Sequence, residues 1–194
     1  MDKPKRASEE IWVTKFDEES AQEFRDEVMA DAKDPTKPVI VYIDSYGGNA
    51  DSLAKMIETL DEIPNHIVTV CLGKAMSAGA ILLSHGDTRF IGKNSRVMVH
   101  EMSSGAHGDV HDIYADAVAV KGLNEKFMGL LAKNCGIKGG YAALRKLVKA
   151  QDGRDRYMDA NASLKFGIVD AIGVPRLIQE VQYKLIVGLV KPKK

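Results

Sequence analysis

The sequence predicts an α/β fold, and three observations carry that reading. Two β-branched runs, Val39-Ile40-Val41-Tyr42-Ile43 and Ile67-Val68-Thr69-Val70-Cys71-Leu72, read as strands buried on both faces. Each breaks at glycine, Gly47-Gly48 in the first case and Gly73 in the second, and each gives way to a helical pattern. The third observation is compositional. With 194 residues, 45% apolar and 28% charged, the chain can bury one sizeable core.

The same arithmetic limits function. Lys and Arg number 27, Asp and Glu also 27, so no net positive field exists to hold nucleic acid or an anionic membrane. Apolar segments are short and broken by charges, well under the roughly 20 residues a bilayer requires. Met1-Asp2-Lys3-Pro4-Lys5 leads into Ser8-Glu9-Glu10 instead of an apolar signal core, so a soluble cytoplasmic protein is expected. Cys71 and Cys135 lie in apolar surroundings without metal-type spacing and read as free thiols in or near the core.

In chain order, residues 1–10 are polar and read as a flexible N-terminal segment, and Ile11-Trp12-Val13 begins the ordered part as a strand. Phe24, Val28 and Met29 keep helical spacing within Glu18 to Asp31, and Asp34-Pro35-Thr36-Lys37-Pro38 ends that helix. After the first glycine break, Leu53, Met56, Ile57 and Leu60 share one helix face; after the second, Ala75 to Ser84 reads as a helix of small residues. Arg89 to Ile91 and Arg96 to His100 are strands flanking the turn Gly92-Lys93-Asn94-Ser95. A loop from Ser103 to Gly108 leads to a long helix, about Val110 to Asn134, with Ile113, Ala117, Val120, Leu123, Phe127 and Leu130 along a stripe and Gly136 as its stop. A shorter helix covers Tyr141 to Ala150. Asp159 caps a brief helix ending at Gly167, Ile168 to Ile172 returns as strand, and Pro175 opens an amphipathic helix within a C-terminal extension, 173–194.

Ser77 has the most chemically loaded address. It lies in Gly73-Lys74-Ala75-Met76-Ser77-Ala78-Gly79-Ala80, where a buried strand meets a helix, so unpaired amides surround it and small neighbours leave room for a substrate backbone. A hydroxyl there serves as a nucleophile, or simply as a capping or packing residue. A serine nucleophile requires a base, and His100, last in its strand before a loop, is better placed than His66, His85, His107 or His111. His107, Asp109 and His111 read as solvated loop rather than metal ligands, and no metal or cofactor is assigned. The orienting carboxylate is one of Asp152, Asp155, Asp159 and Asp170, and spacing does not choose among them.

Four segments in one order resemble the ClpP family, the proteolytic subunits of Clp proteases, from Ile11 to Ile172. They are Val41-Tyr42-Ile43-Asp44-Ser45-Tyr46-Gly47-Gly48, Gly73 to Leu83, Asn94-Ser95-Arg96-Val97-Met98-Val99-His100, and Arg154-Asp155-Arg156-Tyr157 with Phe166-Gly167-Ile168-Val169-Asp170 beyond it. The resemblance implies a ClpP/crotonase-like α/β fold of repeated β-β-α units, with a protruding handle at about 103–134. It implies a serine endopeptidase with Ser77 as nucleophile, His100 as general base and acid, and Asp155 orienting His100. The oxyanion donors fall on the backbone N–H groups of Gly47 and Ala78, and Gly48, Gly105 and Ala106 fall among the substrate-binding positions. Two stacked heptameric rings cleaving unfolded polypeptides are implied, with an AAA+ unfoldase as partner, although the family's axial loop has no counterpart in the ten polar residues before Ile11. A phage-type or stand-alone maturation protease, and a catalytically silent acyl-CoA-binding ring protein of crotonase type, are the competing readings.

The sequence departs from the family at Tyr46, where proline is usual, at Met76 and Ala78 beside the serine, and at Glu101-Met102, where glutamine and proline usually follow the histidine. A carboxylate at Glu101 is expected to raise the imidazole pKa if it lies against His100.

Overall fold

The computed structural model describes residues 10–149 and 155–175. The expected N-terminal segment before Glu10, residues 150–154 and the C-terminal extension beyond Pro175 lie outside the described residues.

The described strands are β1 (Ile11–Val13), β2 (Val39–Ser45), β3 (Ile67–Met76), β4 (Thr88–Ile91), β5 (Arg96–His100), β6 (Asp155–Asp159) and β7 (Ala171–Ile172). The helices are α1 (Glu18–Asp31), α2 (Ala50–Asp61), α3 (Ala78–Ser84), α4 (Val110–Asn134), α5 (Gly140–Lys149) and α6 (Ala160–Phe166). They build one sheet in the order β1-β2-β3-β4-β7, with β5 paired to both β3 and β6. All pairings are parallel except β5 with β6. This mostly parallel sheet with its helices is the ClpP/crotonase-like α/β architecture that the sequence predicts.

Side-chain caps set where the helices begin. The Asp17 carboxylate accepts from the Ser20 N–H (2.8 Å) while Ser20 Oγ accepts from the Asp17 N–H (3.0 Å), closing a capping box on α1. Asn49 Oδ1 accepts from the N–H groups of Asp51 and Ser52, so α2 begins directly after the glycine turn. Asp109 and Asp159 cap α4 and α6 in the same way. The core then closes around side chains such as Phe127, Leu131, Leu82, Leu83, Ile43 and Ile91, all essentially inaccessible. Each contributes about 1.5–3 kcal/mol by leaving water.

Three sequence expectations change. Gly73 does not end β3: the strand continues to Met76, and α3 starts at Ala78 rather than Ala75. At Gly73, with φ +99°, β3 bends and changes neighbour, pairing with β4 through Val68–Cys71 and with β5 through Lys74–Met76. That φ favours glycine, and an added Cβ would lie 2.7 Å from Asp44 Oδ1 and push the carboxylate aside. The two strands flanking Gly92–Ser95 accordingly follow one another along one edge of β3. On β2, Val39, Val41 and Ile43 are buried whereas Ile40 and Tyr42 are half-buried, so one face is only partly covered. Finally, the strand expected from Ile168 shrinks to Ala171–Ile172, because the Ile168 N–H donates back to Ser163 O (3.2 Å) to close α6.

Cys71 and Cys135 are free thiols, buried and half-buried respectively, and burial pushes both up to about 12. Among the described residues no helix is long and apolar enough to cross a membrane.

One ion pair locks the far edge of the sheet. Arg89 Nη2 lies 2.6 Å from Asp170 Oδ1 and its Nε donates to Asp170 Oδ2, while Nη1 donates to the carbonyls of Asn134 and Gly167. A single guanidinium thus ties β4 to the ends of α4 and α6. Hydrogen bonds from Arg89 hold the Asp170 carboxyl below its ordinary range against the cost of its burial. A depressed folded pKa gives stability that is complete above the unfolded value of about 3.9 and is lost as pH falls through the folded one. Arg89→Met is expected to lower stability by about 2 kcal/mol at pH 7 in a urea titration, below the usual buried-pair cost because Asp170 is partly exposed. The deficit of Asp170→Asn relative to the natural chain should shrink as pH falls through the folded value; a deficit that persists unchanged in acid would refute this role.

Candidate active site

Ser77 occupies the joint between β3 and α3 with φ 54° and ψ −118°. It is the one non-glycine residue with positive φ among the described residues. Such a backbone costs about 1–3 kcal/mol and persists only where its surroundings over-determine it. They do so on both sides. The Ser77 N–H donates to Met98 O (2.9 Å), continuing the β3–β5 ladder, and the Ser77 carbonyl accepts from Ala80 and Ile81. The residues of α3 are all buried, so the helix cannot shift to relieve the joint.

Strand register brings the histidine to this serine. Lys74, Ala75 and Met76 pair with Arg96, Val97 and Met98, and His100 lies two residues farther along β5. Its Nε2 is 2.8 Å from Ser77 Oγ. With the hydroxyl donating to Nε2, the ring proton of neutral imidazole resides on Nδ1. The remaining histidines are elsewhere. His66 contacts Thr88 and Asp87, His85 contacts Asp61, and His107 and His111 are exposed near the start of α4. Asp109 caps α4, and among the described residues no group of three or more His, Cys, Asp or Glu is arranged to hold a metal ion.

The four candidate aspartates separate by location. Asp159 caps α6 and Asp170 pairs with Arg89. Asp152 lies outside the described residues. Asp155 is the cross-strand partner of His100 in the antiparallel β5–β6 ladder, which puts both side chains on one face with Cβ atoms roughly 4.5–5.5 Å apart. Asp155 is exposed, and no hydrogen bond joins it to His100 in this structure.

The glycine turn after β2 packs directly on the serine. A Cβ on Gly47 (φ +97°) would sit 2.7 Å from Met76 O and 2.8 Å from Ser77 Cβ. On the other side, the turn is held by Phe16, whose carbonyl accepts from the Asn49 N–H (2.8 Å). The Gly47 N–H donates to Ser45 Oγ (3.1 Å), whereas the N–H groups of Gly48 and Ala78 form no hydrogen bond among the described residues. Ser45, buried at the end of β2, is a contributor that sequence reasoning missed; its place two residues before Gly47 is an ordinary turn signal.

Beyond His100, residues 101–109 form an irregular loop that borders, with α4 and α5, an open groove of about 670 Å³ whose lining includes Glu101, Met102, Ser104 and Ala106. Gly105 sits in this loop with nothing close to its Cβ position. Glu101 turns to α5 and not to His100. Its Oε1 accepts from Tyr141 Oη (2.8 Å) and Arg145 Nε (2.9 Å), and its Oε2 lies 3.2 Å from Lys149 Nζ. Burial opposes ionisation of Glu101, but Tyr141, Lys149 and Arg145 outweigh it and hold the carboxyl below its usual range. The condition for a Glu101 effect on the imidazole, a carboxylate lying against His100, is thereby not met: its charge is directed to α5. Tyr141, Arg145 and Lys149 went unnoticed in the sequence, although their spacing of four places them on one helix face.

A hydroxyl bonded to an imidazole, beside open backbone amides, is equipped to attack an acyl carbon. The family model described as Clp protease matches residues 8–176, which include the glycine turn, the strained serine, the histidine and the β6 aspartate. Most of the sequence is thus accounted for by one family of serine peptidases: the chain belongs to the Clp protease family.

Proposed function

We propose that the chain is a serine endopeptidase that hydrolyses peptide bonds of unfolded polypeptides or peptides inside a homo-oligomeric chamber. Ser77 is the nucleophile, His100 the general base and then acid, and Asp155 the carboxylate that orients His100. The observation that carries this reading is the 2.8 Å hydrogen bond between Ser77 Oγ and His100 Nε2 at a strained strand-to-helix joint.

In this reading Ser77 Oγ attacks the carbonyl carbon as its proton passes to His100 Nε2. The new C–O bond places negative charge on the carbonyl oxygen, which accepts from the Ala78 N–H and from the Gly47–Gly48 turn. Gly47 exchanges Ser45 Oγ for the substrate oxygen, or Gly48 donates with the N–H it already has open. His100 returns the proton to the leaving amine as the C–N bond breaks, and water repeats the sequence on the acyl-enzyme. Asp155 fixes the ring proton on Nδ1 after a side-chain rotation, for which its exposed cross-strand position leaves room. An acyl-CoA binder would use the same amides but has no use for the serine–histidine pair.

The chamber is supported by α4. Its N-terminal half exposes Val110 (80%), Ile113, Tyr114 (72%) and Val118, a strip that fits contact with other copies. Family members assemble into oligomeric rings. The assembly proposed here is two stacked heptamers in the cytoplasm, with an AAA+ unfoldase supplying substrate. In it, 11–172 forms the peptidase domain and the loop 103–109 guides substrate past Gly105 and Ala106.

A fluorophosphonate probe is expected to modify Ser77, with Ser77→Ala and His100→Ala each abolishing the adduct by intact-protein mass spectrometry. Modification of another residue, or none, would overturn the assignment. Asp155→Asn should slow acylation by roughly 10³–10⁴-fold through loss of the correct tautomer, with the circular dichroism of the fold unchanged. Gly47→Ala should prevent labelling as well, because its Cβ collides with the serine joint; labelling at the natural rate would show that the turn has no part in the site.

A further inference from the structure

Among the described residues, His100 and Asp155 are the last pair of the β5–β6 ladder, and β5 ends at His100. Among the described residues no strand hydrogen bond holds the chain beyond it, yet the imidazole must stay within 2.8 Å of Ser77 Oγ. Side chains take over where the ladder stops. Glu101 is gripped by Tyr141, Arg145 and Lys149 of α5. Met102 donates its N–H to Asn124 Oδ1 (2.9 Å), and Asn124 Nδ2 donates to Tyr141 Oη (3.0 Å), closing a loop of bonds through α4 and α5. Asn124 is buried, so this polar chain is shielded from water where it crosses α4. The same α5 is tied to β6, because Arg156 Nη1 donates to the Leu147 carbonyl (2.8 Å). Both strands bearing the proposed proton-relay residues are therefore fastened to one helix, and Glu101 is the link on the histidine side.

We propose that Glu101 is a positioning residue, whose three-way grip by Tyr141, Arg145 and Lys149 fixes the exit of β5 so that the His100 imidazole remains on Ser77 Oγ. This rests on the serine-peptidase reading above. The negative charge is essential: a glutamine of the same shape keeps one oxygen for Tyr141 and Arg145 but loses the ion pairing to both cations and turns an NH2 toward Lys149. The Glu101 carboxylate is bonded to α5 and not to Ser77 or His100, so its effect is transmitted through the backbone to its neighbour, where a misplacement of about 1 Å is enough to slow chemistry up to a hundredfold.

The experiment is fluorophosphonate labelling kinetics on the full chain. Glu101→Gln is expected to label to the same final stoichiometry as the natural chain but about 10–100-fold more slowly. Arg145→Glu with Lys149→Glu should slow labelling similarly, and adding Glu101→Lys to that pair should restore most of the rate. A merely structural role would lower the melting temperature and the labelled fraction together, without slowing the fraction that labels; that result, or Glu101→Gln labelling at the natural rate, overturns the proposal. A natural chain that does not label at all defeats the peptidase reading instead. In that event the ¹⁵N spectrum of His100 decides: a changed Nε2 resonance in Glu101→Gln sustains the positioning role, and an unchanged one ends it.

Discussion

The parallel register between the last residues of β3 and β5 determines which side chain meets Ser77. Met76 stands beside Met98, the Ser77 N–H continues the ladder to Met98 O, and His100 follows two residues later on the same face. Side chains alternate along a strand, so a slip of one residue would present Val99 or Glu101 to the hydroxyl and bury the imidazole among apolar groups. The register is held by burial. Val97 and Val99 face the core, and exposing them would forfeit several kcal/mol. The core therefore specifies the contact between hydroxyl and imidazole without any attraction peculiar to that pair.

The strain at Ser77 and the two glycines opposite it belong to the same solution. A strand that turns abruptly into a buried helix leaves its last residue in a backbone that L-amino acids avoid, and the neighbouring turn must approach within contact distance. Glycine alone permits that approach. Ser45, Phe16 and Asn49 hold the turn from the other side, so the open amides of Gly48 and Ala78 are fixed before any ligand arrives. Prearranged donors of this kind need no reorganisation when charge develops, the condition under which they contribute most.

Elements with strong periodicity were legible in the sequence. The spans of α1 and α4 and the capping role of Asp159 follow directly from residue spacing and end signals. The course of β3 was not, because a glycine inside a strand and a glycine ending one look alike until the exchange of β4 for β5 at Gly73 is known. Choosing among four aspartates was equally out of reach. Capping by Asp159, pairing of Asp170 with Arg89 and the cross-strand position of Asp155 depend on contacts between segments far apart in the chain. Glu101 shows the limit most plainly. Adjacent in sequence to His100, it points to a helix forty residues onward, since neighbouring residues of a strand exit face different ways.

The most direct measurement of the central claim is a crystal structure of the fluorophosphonate-treated protein. The account predicts phosphorus bonded to Ser77 Oγ, its oxygen accepting from the Ala78 N–H and an N–H of the Gly47–Gly48 turn, and His100 Nδ1 bonded to Asp155. A phosphoryl oxygen turned to solvent, with the two amides unoccupied and His100 swung away from the serine, would contradict it.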